Sequence, residues 1–254
     1  PHEWSKVLQV AFKRAPQANY HFRSLLAVAP WLFAYWRAST RSRLEDSARA
    51  LHPLQSRAAA EHEALAIEAG ASRYLRKGGW ISIYRRPGAL EALAPELALG
   101  AELGVPATVL DVAGARALEP HLAPVFTSAI HWSSVVTLSN PLAVTQAYAE
   151  RFKALGGRVL KGDARTLARS GGSWSVDTEE GQYQASDAVI ALGPWSPDVL
   201  SPLGLNFPLG IKRGYHRHFG SQGEAALSRP VLDPEIGYVL CPMEQGIRLT
   251  TGAE

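Results

Sequence analysis

Residues 188–197, AVIALGPWSP, are the part of the sequence whose pattern first suggests a ligand site. Ala188 to Leu192 form an apolar run that predicts a short buried strand, and the run ends at Gly193. Ser196 and Pro197 then favour the start of a helix, with Ser196 as its N-cap. Nucleotide-binding sheets often end their strands in this way, and Gly193 would let the backbone approach a bound group because glycine has no Cβ.

The motif that would complete a dinucleotide site is absent from the sequence. That motif is G-x-G-x-x-G directly after a strand, and none of the glycine pairs has its spacing. There is also no Ser-His-Asp set, no pair of carboxylates and no cluster of metal ligands. The single cysteine excludes a disulfide framework and a cysteine-based metal site, and it suits a reducing compartment.

The size and charge of the chain limit the number of its domains and the kinds of partner that it binds. Its 254 residues suffice for one large domain or two small ones, and 46% hydrophobic residues are typical of a globular protein. The net charge of +3 is uneven: residues 1–57 hold nine Lys/Arg and three Asp/Glu. Scattered arginines with a modest total charge do not indicate nucleic-acid binding. The sequence does not begin with Met and shows no signal peptide, and we interpret it as a piece of a longer protein.

The segment SLLAVAPWLFAYW, residues 24–36, leaves two interpretations open. It is too short to span a bilayer, which requires about 20 apolar residues. It is either a core helix or a surface segment, within residues 23–43, that lies on anionic lipid. In the second case its aromatic residues would lie at the interface and its arginines near the headgroups. The residues concerned are Trp31, Phe33, Tyr35 and Trp36, and Arg23, Arg37, Arg41 and Arg43.

Periodicity and capping signals divide the chain into elements. A capping box at Ser42–Glu45 predicts a helix that begins near residue 42, is kinked or restarted at Pro53 and ends at Gly70. Further helices are predicted over 88–104, 111–118 and 141–155. Strands are predicted over 80–84, 129–138, 158–167, 173–178, 188–192, 210–219, 237–240 and 246–251.

Five motifs in order resemble the FAD-dependent D-amino-acid oxidase superfamily, and within it the bacterial D-amino-acid dehydrogenases. The matching stretches are Leu118-Glu119-Pro120-His121-Leu122, Ser139-Asn140-Pro141, residues 188–196, Lys212-Arg213-Gly214-Tyr215-His216, and residues 237–254. The last resembles the pattern Y-I-x-P-x-x-G-x-x-x-x-G-x-x-E. Residues 1–117 match more weakly.

The resemblance implies a fold of mixed α/β (α+β) class. It predicts an antiparallel-sheet substrate domain with flanking helices, formed by residues 1–140 and 201–254, and part of an FAD/NAD(P)-binding Rossmann-like domain over residues 141–200. In the family the glycine loop lies before the position of Pro1, and an Arg-Pro element lies beyond Glu254. We therefore expect the full-length enzyme to bind FAD and this chain alone to hold none.

The resemblance also implies a reaction. Hydride would pass from the α-carbon of a D-amino acid to the flavin, and the imino acid would hydrolyse to a 2-oxo acid and ammonia. A membrane quinone would take the electrons, which suits a cytoplasmic protein held peripherally on the inner face of the bacterial membrane. Glycine, sarcosine or hydroxyproline as substrate, and a cofactor-free fragment that docks on a membrane or partner, stay open. The oligomeric state is not predicted.

Individual site residues follow from the same resemblance. The backbone of Ala164 would face the adenine, and Tyr238 would donate to the substrate carboxylate, because a phenol can donate to an anion while neutral near pH 7. Tyr215 and His216 would approach the flavin or the substrate. The other cofactor-binding candidates are Ala191, Leu192, Gly193 and Trp195.

Plainer interpretations of these residues stay open. Ala164 could be a core residue, Gly193 a simple turn, and the tyrosines and His216 ordinary strand residues. His131 and Trp132 are interpreted as structural. Arg248 is interpreted in the same way, because the family's carboxylate-binding arginine belongs to the Arg-Pro element.

Overall fold

The computed structural model describes residues 22–207, 209, 211 and 213–253. Predictions for residues 1–21, Lys212 and Glu254 lie outside this range. The helices are α1 Phe22–Ala38, α2 Arg41–Glu68, α3 Ala94–Glu102, α4 Val112–Leu118, α5 Pro141–Ala154 and α6 Ser196–Leu200. The strands are β1 Leu75–Lys77, β2 Trp80–Tyr84, β3 Ala107–Leu110, β4 Ser128–Trp132, β5 Val136–Leu138, β6 Ala168–Ser170, β7 Ser173–Thr178, β8 Gly181–Ala185, β9 Gly214–Phe219, β10 Val231–Asp233, β11 Tyr238–Met243 and β12 Gly246–Ala253.

The predicted mixed class of helix and sheet is confirmed, and the chain divides into two compact units. Unit 1 comprises Pro1–Tyr148 and Arg213–Glu254, and unit 2 comprises Ala149–Lys212. The domain boundaries at 140 and 200 stay predictions.

Unit 1 is built on a seven-stranded sheet with the order β3-β4-β2-β10-β11-β12-β9. Its neighbouring strands are antiparallel except for β10 and β2, which are parallel. One face, which we call the core face, carries Ile81 and Ile83 of β2, Val231 of β10 and Leu240 of β11, and α4 packs on it through Ala115. Because side chains alternate along a strand, the core face accounts for the apolar alternation in β2.

The opposite face is polar over the last three strands, and we call it the polar face. The register places Cys241 opposite Arg248, Arg248 opposite His218, and Thr250 opposite His216. Directly opposed residues in an antiparallel pair share a face. The polar face therefore includes Cys241, Arg248, Thr250, His216 and His218, together with Val239, which lies opposite Thr250.

The predicted cap of α2 is wrong. The cap is Thr40, whose hydroxyl accepts from the Arg43 N–H at 3.5 Å, and Ser42 lies inside the helix. The helix continues through Pro53, so it is not restarted there, and the predicted kink stays a prediction. The end is as predicted, with Gly70 in the left-handed region at φ 67°.

The described side chains of α1, those of residues 29–38, are mostly exposed rather than packed in a core. Phe33 and Tyr35 are 59% and 61% exposed, and Leu32 and Trp36 are also exposed. Trp31 stacks on Tyr35 within the same helix, with ring centroids 5.4 Å apart. Among the described residues, no helix has the length and apolar character needed to cross a membrane.

The predicted strand over 129–138 is in fact two strands, β4 and β5, which separate at residues 133–135. Here β5 leaves the large sheet to pair with β1. Gly79 passes close beneath this turn at φ 74°, and a Cβ at this position would lie 2.2 Å from the Trp132 carbonyl oxygen. Only glycine fits such an approach.

Unit 2 contains the three-stranded sheet β6-β7-β8, and two predicted strands are missing from it. Residues 158–167 make only one bridge, Gly162 to Thr178, and residues 188–192 belong to no strand. The apolar run is exposed rather than buried, with Val189 91% exposed. A strand requires a neighbour to accept its hydrogen bonds. Residues 158–167 meet the end of β7 only around Gly162, and no described strand of this unit lies beside residues 188–192. Ser196 is the first residue of α6 and not its N-cap, because a 3-10 turn, Gly193–Trp195, leads directly into the helix.

A buried carboxylate, Glu119, fixes the segment that leads into β10. It accepts backbone N–H bonds from Ser228 at 3.1 Å and from Arg229 at 3.0 Å, and a hydroxyl bond from Ser228. The Arg229 guanidinium lies 3.1 Å away. Glu119 is 1% exposed, so these donors replace its lost hydration.

We predict that Glu119→Ala lowers the free energy of unfolding by about 3 kcal/mol, because it leaves a mostly buried arginine and two backbone donors without their acceptor. Urea denaturation followed by circular dichroism measures the change. Glu91→Ala removes an exposed carboxylate and serves as the matched control. A loss no larger for Glu119→Ala than for Glu91→Ala would contradict the prediction.

Candidate functional site

The three residues predicted to meet the substrate do not share one face of the sheet. His216 lies on the polar face, opposite Thr250, and its ring meets His218 edge to face with centroids 5.6 Å apart. Tyr215 is the preceding residue of β9, so its side chain points to the other face. Tyr238 lies opposite Asp233 of β10, on the core face. His216 is thus the one of the three that lies on the polar face.

The Tyr238 hydroxyl belongs to a network around Arg85, which follows β2. The Arg85 Nε donates to the buried Asp233 carboxylate at 2.6 Å, and its Nη1 donates to the Val125 carbonyl at 3.3 Å. Its Nη2 donates to the Tyr238 hydroxyl at 3.5 Å. The hydrogen bond to Asp233 raises the pKa of Arg85 above its usual value. Arginine has no acceptor atom, so the Tyr238 hydroxyl can only accept from Arg85. Its own O–H is therefore available to donate to another group.

The position of Tyr238 also differs from the pattern Y-I-x-P by one residue. That pattern has its tyrosine three residues before the proline, whereas Tyr238 stands four residues before Pro242. A shift of one residue along a strand moves a side chain to the opposite face. Val239 therefore occupies the pattern's tyrosine position and lies opposite Thr250. The carboxylate-binding role of Tyr238 stays a prediction.

The polar face holds two groups that the sequence-based interpretation set aside, Cys241 and Arg248. Burial raises the pKa of the Cys241 thiol, and the charge and hydrogen bond of Arg248 partly oppose that rise. The Arg248 Nε is buried and has no acceptor among the described residues. Period-two alternation in two adjacent predicted strands could have placed these residues on one face, but it could not have shown that no carboxylate in the described part of the chain forms an ion pair with Arg248.

Within unit 2, two segments predicted to bind the cofactor come together. Ala164 begins a 3-10 turn, Ala164–Thr166, and α6 packs against that turn. The turn is held by Asp163, whose carboxylate accepts from the Arg165 N–H at 3.0 Å and from its guanidinium at 2.7 Å. The hydrogen bonds from Arg165 lower the pKa of Asp163 to about 2. The predicted adenine-facing residue therefore lies in a turn closed by charge-assisted hydrogen bonds.

The glycine at the start of α6 fits a closely bound group. Gly193 has φ 56°, and an added Cβ would meet no atom within 4 Å. The adjoining Ala191 is exposed, Leu192 is half-buried and Trp195 is exposed, so this loop is open to a ligand. These residues are accessible to a ligand, and their assignment to the FAD that the resemblance implies stays a prediction.

Comparison with known proteins decides the family. The family model described as FAD dependent oxidoreductase, DAO, matches residues 14–254. This chain belongs to the DAO family of FAD-dependent oxidoreductases. The family assignment predicted from the five motifs is thereby confirmed.

Two curated members of the DAO family illustrate the similarity. The chain is 28% identical over 220 residues to the D-amino-acid oxidase of Bradyrhizobium diazoefficiens, which covers 85% of this chain and 52% of that protein. It is 32% identical over 174 residues to the D-amino acid dehydrogenase of Azorhizobium caulinodans, which covers 67% of this chain and 39% of that protein. The chain thus spans about half the length of the curated relatives it matches.

Solved structures of similar fold act on different amines. The glycine oxidase of Geobacillus kaustophilus has a TM-score of 0.65 at 22% identity, over 85% of this chain and 56% of that one. The L-amino acid deaminase of Proteus vulgaris has a TM-score of 0.60 at 17% identity, over 76% of this chain and 46% of that one. At these identities the likeness shows the DAO fold and not the substrate.

We predict that the carboxyl of Asp163 titrates near pH 2, below its ordinary pKa of 3.8. A depressed folded-state pKa means that this carboxylate stabilises the turn above pH 3.8, and that the contribution is lost as the pH falls toward 2. Carbon-13 NMR of the Asp163 carboxyl measures the pKa, and Arg165→Gln should move it toward 3.8. Arg169→Gln, in the neighbouring strand, is the control and should leave it unchanged. A wild-type pKa that Arg165→Gln does not alter would refute the assignment.

Proposed function

We propose that this chain is part of a flavin-dependent enzyme that oxidises the Cα–N bond of D-amino acids. The observation that carries the proposal is the match to a D-amino-acid oxidase and to D-amino acid dehydrogenases at 28% and 32% identity over two thirds or more of the chain. The products would be a 2-oxo acid and ammonia, and a quinone would take the electrons.

The residues of each unit have separate tasks in this proposal. When bound, FAD supplies the acceptor for the hydride. In unit 2 the backbone at Ala164 and the open loop at Gly193 would hold the cofactor. In unit 1 the polar face, with His216, would position the substrate.

The substrate class is testable by flavin reduction in the full-length, flavin-loaded protein. Under anaerobic conditions we expect D-alanine or D-phenylalanine to bleach the absorbance of the oxidised flavin, and their L-enantiomers to leave it unchanged. The reason is that hydride transfer requires the α-hydrogen to face the flavin, which one enantiomer satisfies when carboxylate and side chain are held. Equal bleaching by both enantiomers would contradict the proposal.

A glycine-type or sarcosine-type amine oxidase is the second candidate. Its support is the fold likeness to the Geobacillus kaustophilus glycine oxidase. In the same assay, bleaching by glycine or sarcosine without bleaching by D-alanine would favour it.

We further propose that α1 contacts the surface of an anionic membrane. The exposed aromatic residues Phe33, Tyr35 and Trp36 are suited to the interface between headgroups and acyl chains. Arg37 and Arg43 are exposed beside them, while Arg41 is paired with Glu45 at 2.8 Å. The basic charge available to headgroups is therefore smaller than the sequence suggests, and the binding should be weak.

We predict that the full-length protein sediments with vesicles containing phosphatidylglycerol, that the bound fraction falls as salt rises, and that neutral vesicles bind less. Replacing both Phe33 and Trp36 with Ser should reduce binding, because it removes the interfacial aromatic side chains. A matched pair on α2, Leu51→Ser and Leu54→Ser, controls for the general loss of exposed apolar surface. Equal sedimentation with neutral and anionic vesicles would argue against the membrane proposal.

A further inference from the structure

Two histidines of the strand β9 stand side by side on the polar face. His216 and His218 are alternate residues of this strand, so their side chains point to the same side of the sheet. The strand β9 is the last in the strand order of the large sheet. His216 is exposed and His218 is half-buried, so both imidazoles are open to a ligand.

The ring nitrogens of this pair are not used by the described protein. Other imidazoles have partners: Nδ1 of His62 lies 3.3 Å from the Tyr148 hydroxyl, and Nε2 of His131 lies 2.8 Å from the Gly78 carbonyl oxygen. Within the described part of the chain, the side chains of His216 and His218 form no hydrogen bond or ion pair, and the contact that they make is with each other. A neutral imidazole has one nitrogen that can act as an acceptor or a metal ligand.

The spacing of the two rings is close to that of two imidazoles on one metal ion. With zinc–nitrogen bonds of about 2.0–2.1 Å and tetrahedral angles, the centroids of two bound rings lie about 5.2 Å apart. The centroids of His216 and His218 are 5.6 Å apart, with their planes at 88°. A rotation about χ2, which has a broad range in histidine, is the change needed to direct both nitrogens to one point.

We propose that His216 and His218 together bind one divalent transition-metal ion of the kind that imidazole prefers, with Zn²⁺ as the representative. Among the described residues no group of three or more His, Cys, Asp or Glu side chains could hold a metal ion. Water would therefore complete the coordination. A structural zinc centre is closed by four protein ligands, so a site with two is one from which the ion exchanges.

The neighbouring charge opposes this binding. Arg248 lies directly opposite His218, and the Cβ atoms of such a pair are about 4.5–5.5 Å apart. Its positive charge repels a cation, which makes the affinity of the pair lower than that of two isolated imidazoles. Removing the charge should therefore strengthen the binding of the ion, an effect that loss of structure would not produce.

The first test is a titration of Zn²⁺ into the flavin-loaded full-length protein, followed by isothermal titration calorimetry. We expect His216→Gln and His218→Gln each to weaken the binding by about 100-fold, because one ligand then binds without the second held beside it. His121→Gln removes an exposed imidazole from a turn outside the sheet and is the matched control. Binding that is unchanged in both β9 variants would overturn the proposal.

Arg248→Met is the variant expected to act in the opposite direction. It should strengthen Zn²⁺ binding by about two- to tenfold, because a positive charge near the ion is removed. The gain should shrink as salt rises, since salt screens the repulsion. Weaker binding of Zn²⁺ in Arg248→Met would contradict the placement of the ion beside His218.

Chemical modification locates the ion independently of its affinity. Diethyl pyrocarbonate modifies free imidazole nitrogens, and mass spectrometry of the peptides reports the extent at each histidine. Zn²⁺ should protect His216 and His218 and leave His121 reactive. Mg²⁺ should protect none of them, because it prefers oxygen ligands. Equal modification of the β9 pair with and without bound Zn²⁺ would refute the site.

A bound ion would also occupy the imidazole of His216, which the proposed function assigns to the substrate side of the sheet. This consequence rests on the proposed function. At a fixed free concentration of Zn²⁺, reduction of the flavin by D-alanine should be slowed in the wild type, and the ratio of the rates with and without Zn²⁺ should approach one in His218→Gln. An equal ratio in both proteins would contradict the inhibitory role.

The metal site and the proposed function fail in different ways. If D-alanine does not reduce the wild-type flavin, the proposed substrate class is wrong, and the titration and the modification pattern still decide the metal site. If D-alanine reduces the flavin and Zn²⁺ protects neither β9 histidine, the enzyme assignment stands and the metal site is wrong.

Discussion

The large sheet depends on how its shortest central strand is held in place. The strand β10 has three residues, and it alone joins the strands from residues 80–132 to those from residues 214–253. The contact between β10 and β2 is small. It consists of two aligned residue pairs and one hydrogen bond, which the Ile81 N–H donates to the Pro230 carbonyl. Two buried carboxylates compensate at its ends: Glu119 holds the residues before β10, and Asp233 binds Arg85 and the N–H groups of the turn that follows it.

This attachment determines where the candidate site lies. Because Val231 aligns with both Ile81 and Leu240, it fixes the register of β11 and, through β11, the register of β12 and β9. A slip of one residue at β10 would move Arg248 and His216 to the core face and bring Leu249 to the polar face. The network of Asp233, Arg85 and Tyr238 therefore supports the polar face without belonging to it, and a buried ion pair that specifies register is a well-attested use of such a costly interaction.

Local signals predicted the parts of the fold that are decided locally. Alternation at Ile81 and Ile83 predicted β2, Gly70 predicted the end of α2, and the helix placed after Asp111 begins there with the Asp111 side chain as its cap. The strand predicted from the apolar run at 188–192 is absent. A strand forms only beside a partner strand, and the local pattern does not show whether one is present. The face on which Tyr238 lies depends in the same way on one residue of register, which the local pattern does not give. That the Arg248 Nε has no acceptor among the described residues could not be predicted, because it depends on which acceptors the fold brings near it.

The two faces of the sheet differ in how their charged groups are paired. On the core face and at the ends of β10, each buried carboxylate has several donors, and each of the two arginines has an acid. On the polar face the thiol, the imidazoles and one guanidinium share no acid within the described residues. The Nε of Arg248 and, on the same face of the sheet, the indole nitrogen of Trp80 have no acceptor among the described residues. The sheet therefore satisfies its buried polar groups most fully at the ends of β10, where Glu119 and Asp233 hold the strand on which the register of the other strands depends.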